Sequence, residues 1–223
     1  MLDFAQARRM MVDGQLRTFD VNDLPLLAAI DDVPRERFVH EDRVGFAYID
    51  QDIPVSDGLD VPERRFMLAP MVLGRLIQAL GIQKGDKVLD LACGLGYSSA
   101  VITRLGASVV ALEASETLAD AARVRLGQCG IENVKTVAGP LDKGFAEQAP
   151  YNAILINGAV EVKPQGLLEQ LAGGGRLACI EGRGRAARAK LYVRSGNAFG
   201  ARSLFDAAAP VLMAFRAEPG FVF

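Results

Sequence analysis

The chain predicts an α/β fold: a doubly wound, mostly parallel sheet with an antiparallel hairpin at its C-terminal side and a helical extension at its N-terminal side. Three features carry that expectation. From Val88 to Ile180, short runs of Val, Ile, Leu and Ala alternate with helix-patterned segments, as parallel strands joined by crossover helices require. The first run, V-L-D-L, enters the glycine-bearing turn A-C-G-L-G before a helix opens at Tyr97. Beyond Ile180 two further apolar runs follow with no helical pattern between them, so the last strands pair antiparallel.

Taken in order, Leu2 to Leu16 places Phe4, Ala7, Met10 and Met11 at helical spacing. Asn22 or Asp23 caps a second short helix through Ile30. Pro34, Pro54, Gly58 and Pro62 punctuate an irregular stretch to about Val61, and a helical pattern returns from Pro62 to Leu80. Strands are predicted at Val88–Leu91, Val109–Leu112, Val134–Val137, Ala153–Ile156 and Arg176–Ile180. Helices are predicted at Tyr97–Leu105, Ser115–Gly127 and Gln165–Leu171, with a glycine turn at Gly173 to Gly175. Lys190–Arg194 and Val211–Phe215 form the closing hairpin, and the basic stretch Gly182 to Lys190 reads as a solvated loop. The 223 residues suit one domain, with 1–80 an extension over the site and 81–223 the α/β core.

Composition bounds the function. Half the residues are hydrophobic and the net charge is −2, so nothing draws the chain to nucleic acid or an anionic membrane. No apolar run approaches the ~20 residues of a membrane span, and Met1 to Leu16 is too charged for a signal peptide. Cys93, Cys129 and Cys179 lack CxxC spacing, which fits free thiols in a reducing cytoplasm. His40 is the single histidine, leaving almost no material for histidine metal sites or histidine-based triads.

A strand ending in a glycine turn, followed by a strand that stops on an acid, is what a nucleoside-bearing cofactor needs. Glycines let its polar end lie on the backbone, and a carboxylate takes the ribose hydroxyls. Here Ala92, Gly94 and Gly96 form the turn, Asp90 precedes it, and Glu113 is the acid. Gly139 follows the third strand, where an adenine would lie, with Leu112 or Ala114 and Leu141 beside it. The ensemble favours S-adenosylmethionine over a nicotinamide dinucleotide, whose third small residue would fall on Ser99.

At this point the sequence resembles the protein-L-isoaspartate O-methyltransferases, within the class I S-adenosylmethionine-dependent methyltransferases. The resemblance rests on M-V-D-G-Q-L-R (Met11 to Arg17), V-P-R-E-R-F-V (Val33 to Val39), Y-x-D-x-x-I-P (Tyr48 to Pro54) and L-L-E-Q-L-A-G-G-G-R-L (Leu167 to Leu177). It implies a Rossmann-like fold, S-adenosylmethionine as methyl donor, and a protein or peptide isoaspartyl carboxylate as acceptor; the sequence leaves the oligomeric state open and is compatible with a monomer. The family's active-site loop reads roughly Q-T-I-S-Q-P; this chain has Arg65-Phe66-Met67-Leu68-Ala69-Pro70, so Leu68 stands at the serine. Gly139-Pro140-Leu141 replaces the usual G-D-G, and the fourth strand ends on Asn157 rather than threonine.

The residues then take roles. Asp90 orients the donor's amino group or caps its strand, and Tyr97 closes over the donor or packs the helix start. Phe66, Leu68, Pro70 and Asn157 line the acceptor side. A carboxylate acceptor needs no general base at neutral pH. A phenol or amine would want one, with His40, Asp52 and Asp57 as candidates, although His40 reads as a surface residue. Three other readings stay open: a different, small apolar acceptor suited to Phe66, Met67 and Leu68; a cofactor-binding module without catalysis; and a nicotinamide enzyme.

Overall fold

The computed structural model describes residues 3–218, so Leu2, where the first predicted helix was begun, lies outside the described residues. Helix α1 (Phe4–Met11) is capped by Asp3 and continues into a wider turn over Val12–Leu16. Helix α2 (Leu24–Asp32) opens on the side chain of Asp23, which accepts from the amide of Leu26 at 2.9 Å.

The stretch from Pro62 to Leu80 departs from its expected helix. Only Pro70–Leu80 (α3) is helical, with Pro70 in the first turn and Gly81 closing it at φ 54°. A proline disfavours helical backbone in the residue before it, and Ala69 is extended. Upstream, Phe66–Met67 (β2) instead pairs antiparallel with Ile53–Pro54 (β1), forming a two-stranded strap.

The main sheet has seven strands: β3 (Lys87–Leu91), β4 (Ser108–Glu113), β5 (Val134–Ala138), β6 (Tyr151–Val160), β7 (Leu171–Glu181), β8 (Arg188–Ser195) and β9 (Ala198–Asp206). Their order is β5-β4-β3-β6-β7-β8-β9, parallel through β7 and antiparallel at β8 and β9. Helices α4 (Tyr97–Arg104), α5 (Glu116–Gln128) and α6 (Gln165–Leu168) supply the crossovers. The order reverses between β3 and β6, and a crevice at the strands' carboxyl ends is where open α/β sheets take ligands.

Two other expectations are corrected. The hairpin joins β8 to β9, not to Val211–Phe215. Val211 makes a single parallel bridge to Ala159, and Met213–Phe215 is a short 3-10 turn. Strand β9 is largely solvent-exposed on both faces, so no apolar alternation announces it. Gly173 to Gly175 is not a turn between elements. It lies within β7, where the pairing slips between Tyr151↔Leu171 and Ala153↔Arg176.

Two apolar cores flank the sheet. The larger joins residues of α1, α2, α3 and α4, including Met11, Leu26, Leu76 and Ile102. The smaller gathers Leu112, Leu141, Leu167, Leu212 and Phe215. Segments before residue 80 therefore help to build the core and reach the strands' carboxyl ends from one side.

Candidate active site

The turn after β3 is shaped by backbone that ordinary residues resist. Ala92, Gly94 and Gly96 adopt φ of 57°, 59° and 94°. Glycine is suited to the last two, while Ala92 carries a Cβ in the left-handed region, which costs roughly 1–2 kcal/mol. The Ala92 amide donates to the carbonyl of Leu112 at 2.9 Å, tying the turn to the end of β4.

Asp90, at the end of β3, is fully buried. Its Oδ2 accepts from the hydroxyls of Ser98 (2.6 Å) and Ser99, and its Oδ1 accepts from Asn157 Nδ2 at 2.7 Å. Burial pushes its pKa up against those hydrogen bonds. Asp90 thus fastens α4 and β6 to the turn. Asn157 donates also to the carbonyl of Leu91, so both of its amide contacts face into the protein. Tyr97 is buried beneath the Arg35 guanidinium, 4.7 Å from its ring centroid, and edge-on to Phe38.

Glu113, at the end of β4, has no exposed surface, and four contacts complete its carboxylate. The Gly94 amide donates to Oε1 at 2.7 Å and the Ala114 amide to Oε2 at 2.9 Å. Arg65 Nε lies 3.1 Å from both oxygens. Burial raises the pKa of Glu113, with Arg65 and the two amides opposing. Burial pulls Arg65 the other way, but Glu113 and Glu63 outweigh it and hold the guanidinium firmly charged. Arg65 was not among the expected site residues. The signal available was a cation at the edge of the apolar Phe66-Met67-Leu68 segment, masked by the charged Glu63 and Arg64 before it; its partner is 48 positions away.

The residues expected beside an adenine are neighbours in the structure. Leu112 and Leu141 share the smaller core with Ala114 packed against it, and a Cβ at Gly139 would lie 3.6 Å from Leu112. Of the residues expected on the acceptor side, Phe66, Leu68 and Asn157 surround, with Met67, Cys93 and Tyr97, a cavity of about 10 Å³. That is space for about one water molecule. Pro70 is buried at the start of α3. Burial and the charge of Glu113 hold the Cys93 thiol well above its usual range, which leaves it a poor nucleophile. The three candidate bases do not converge on the glycine turn, although His40 and Asp57 line one pocket with Val55 and Leu95. Asp52 accepts from the Ala69 amide, Asp57 pairs with Arg64 and Arg43, and His40 faces Asp42 at the surface.

The sheet order, the glycine turn and the acid at the next strand's end define a class, the Rossmann-like S-adenosylmethionine-dependent methyltransferases. Within it, residues 9–204 match the family model for protein-L-isoaspartate(D-aspartate) O-methyltransferase, and the chain belongs to that family. A protein-L-isoaspartate O-methyltransferase of Methylorubrum extorquens is 37% identical over 175 residues, 78% of this chain and 74% of the relative. One from Roseiflexus is 35% identical over 86% of this chain and 85% of its own length. A solved protein-L-isoaspartate O-methyltransferase superposes with a TM-score of 0.81 at 25% identity, covering 92% of this chain and 65% of that one. The fold is shared also, at TM-score 0.73 and 19% identity, by a Plasmodium falciparum chain described as such a methyltransferase and solved with S-adenosyl-L-homocysteine; the match covers 93% of this chain and 98% of that one.

The frame fits the donor: a buried acid beside the Gly94 and Ala114 amides, with an apolar shelf next to it. The space before the acid holds Arg65 and Val55, whose Cγ2 would be 3.0 Å from a Cβ at Gly94.

Proposed function

We propose that this chain transfers a methyl group from S-adenosyl-L-methionine to the carboxylate of isoaspartyl residues in proteins or peptides. The observation that carries the reading is Glu113 held by the Gly94 amide, the acid-on-glycine-turn arrangement at the sheet's switch point. The sulfonium of the donor supplies an activated methyl and needs no protein nucleophile.

Glu113 would take the ribose hydroxyls, and backbone at Ala92, Gly94 and Gly96 the methionine end. Asp90 and Tyr97 keep the turn and α4 in place. Leu112, Ala114, Gly139 and Leu141 would flank the adenine. Phe66, Leu68, Pro70 and Asn157 form the acceptor side. The acceptor carboxylate is ionised at neutral pH, so the protein's work is orientation and exclusion of water, not proton transfer. That agrees with a single histidine and with candidate bases already engaged by the Ala69 amide, Arg64 and Asp42. Among the described residues no helix is long and apolar enough to cross a membrane. Three free thiols suit a reducing cytoplasm.

The test is methyl transfer from labelled S-adenosyl-L-methionine to an isoaspartyl peptide and to its aspartyl control. Label released by base as a methyl ester from the isoaspartyl peptide alone supports the reading. Donor binding without transfer to that peptide overturns the assigned acceptor. Absence of donor binding overturns the methyltransferase reading.

A further inference from the structure

Arg65 occupies the position that a ribose needs. Its guanidinium takes both carboxylate oxygens of Glu113, and the two backbone amides take the remaining acceptor directions. A diol donating two O–H groups to Glu113 finds no free lone pair there. Both partners are buried, with side-chain exposures of 1% for Arg65 and 0% for Glu113.

Arg65 is not a wandering surface group. The Val55 amide donates to its carbonyl at 2.9 Å, and its own amide donates to Ser56 Oγ at 2.8 Å. Those bonds fix it in the strap formed by β1 and β2, and they lay Val55 against Gly94. On the outer side Arg65 Nη1 donates to Glu63 Oε2 at 2.9 Å. Glu63 Oε1 accepts from the amide of Met213 at 2.7 Å, which pins the strap to the C-terminal segment. Of the groups on the acid, Arg65 belongs to the strap, whereas the Gly94 and Ala114 amides sit in the turn and strand end that β3 and β4 hold.

We propose that Arg65 is a displaceable stand-in for the donor's ribose, so that the strap from Ile53 to Met67 closes the donor site in the free protein and leaves Glu113 when the donor binds. This rests on the methyltransferase reading given above. A closed majority lowers apparent affinity by the fraction of molecules that are open. Glu63, near the surface, offers the departing guanidinium a counter-charge. Phe66 and Met67 travel with the strap, and Leu68 adjoins it, so the acceptor side is reshaped in the same motion.

Calorimetric titration of S-adenosyl-L-homocysteine into the wild type and Arg65→Gln tests this. At least tenfold tighter binding by Arg65→Gln is expected. Equal or weaker binding by the variant overturns the proposal while leaving the methyltransferase reading intact. Binding by neither protein overturns both. Because Arg65→Gln strips a buried carboxylate of its cation, a second measurement uses the wild type alone. Amide hydrogen exchange at saturating S-adenosyl-L-homocysteine should quicken at Val55 and across 65–67, while Gly94 and Ala114 stay protected. Unchanged or slower exchange in the strap overturns the proposal.

Discussion

A carboxylate and a guanidinium that share a dry site each depend on the other for charge compensation. Removing one partner of such a pair typically costs 3–5 kcal/mol, since the remaining charge is left uncompensated. Glu113→Gln should therefore lower stability by about 3 kcal/mol in urea denaturation. Adding Arg65→Gln should cost much less than the two single losses combined, and simple additivity would exclude a coupled pair. A second residue predicts a pH effect. Asp52 accepts from the Ala69 amide, and burial raises its pKa above the usual 3.8. A carboxyl whose folded pKa is raised binds more protons folded than unfolded, so its contribution falls as pH climbs from the unfolded value through the folded one. Asp52→Asn keeps the accepting oxygen and removes the titration. Its stability should decline less than the wild type's between pH 4 and 7, and parallel curves would count against a raised Asp52. At this scale the sequence was legible where chemistry is local. Gly94, Gly96 and Glu113 follow from their neighbours, whereas Arg65 and the Asp90–Asn157 bond join positions 48 and 67 residues apart.

Buried elements announced themselves and exposed ones did not. The runs V-L-D-L and V-V-A-L read as strands because both faces are covered, as a central parallel strand requires. The strap was hidden because Phe66 and Met67 continue a helical spacing with Val72 and Leu73, and only Pro70 marks the break. Val211–Phe215 misled in the opposite sense: it is apolar because it plugs the smaller core, not because it is a strand. That plug depends on a glycine. A Cβ at Gly158 would come within 2.7 Å of Leu212. Gly158→Ala should cost about 1–3 kcal/mol through overpacking. The pair Gly158→Ala with Leu212→Ala should lose less than the sum of the separate losses in chemical denaturation. Strict additivity would show that the clash is absorbed elsewhere.

The whole molecule is a sheet whose ligand side is finished by chain that precedes it. Leu16 and Val21 sit against Gly74 on α3, and Gln78 of α3 takes the amides of Asn22 and Asp23 and donates to the carbonyl of Asp20. Removing residues 1–23 would uncover that face of α3. The shortened chain should bind a hydrophobic dye and lose its cooperative thermal transition; a sharp transition with native dye response would mean that α3 is held by the sheet alone. The layer order was readable because alternation of strand and helix admits few topologies. The way in which the extension closes over the sheet was not, since it is set by contacts such as Val55 on Gly94 that join distant parts of the chain.

Gly94 consequently answers to two masters. A bare backbone there leaves room for the donor in the proposed function, and the same bareness admits the valine of the strap, whose Cγ2 would lie 3.0 Å from a Cβ at that position. Selection for a well-seated strap would keep the glycine even in a lineage that had ceased to methylate anything. The motif is therefore a record of shape before it is a record of activity. Among descendants of this fold, the partner of the acid on β4 is the more telling character to compare.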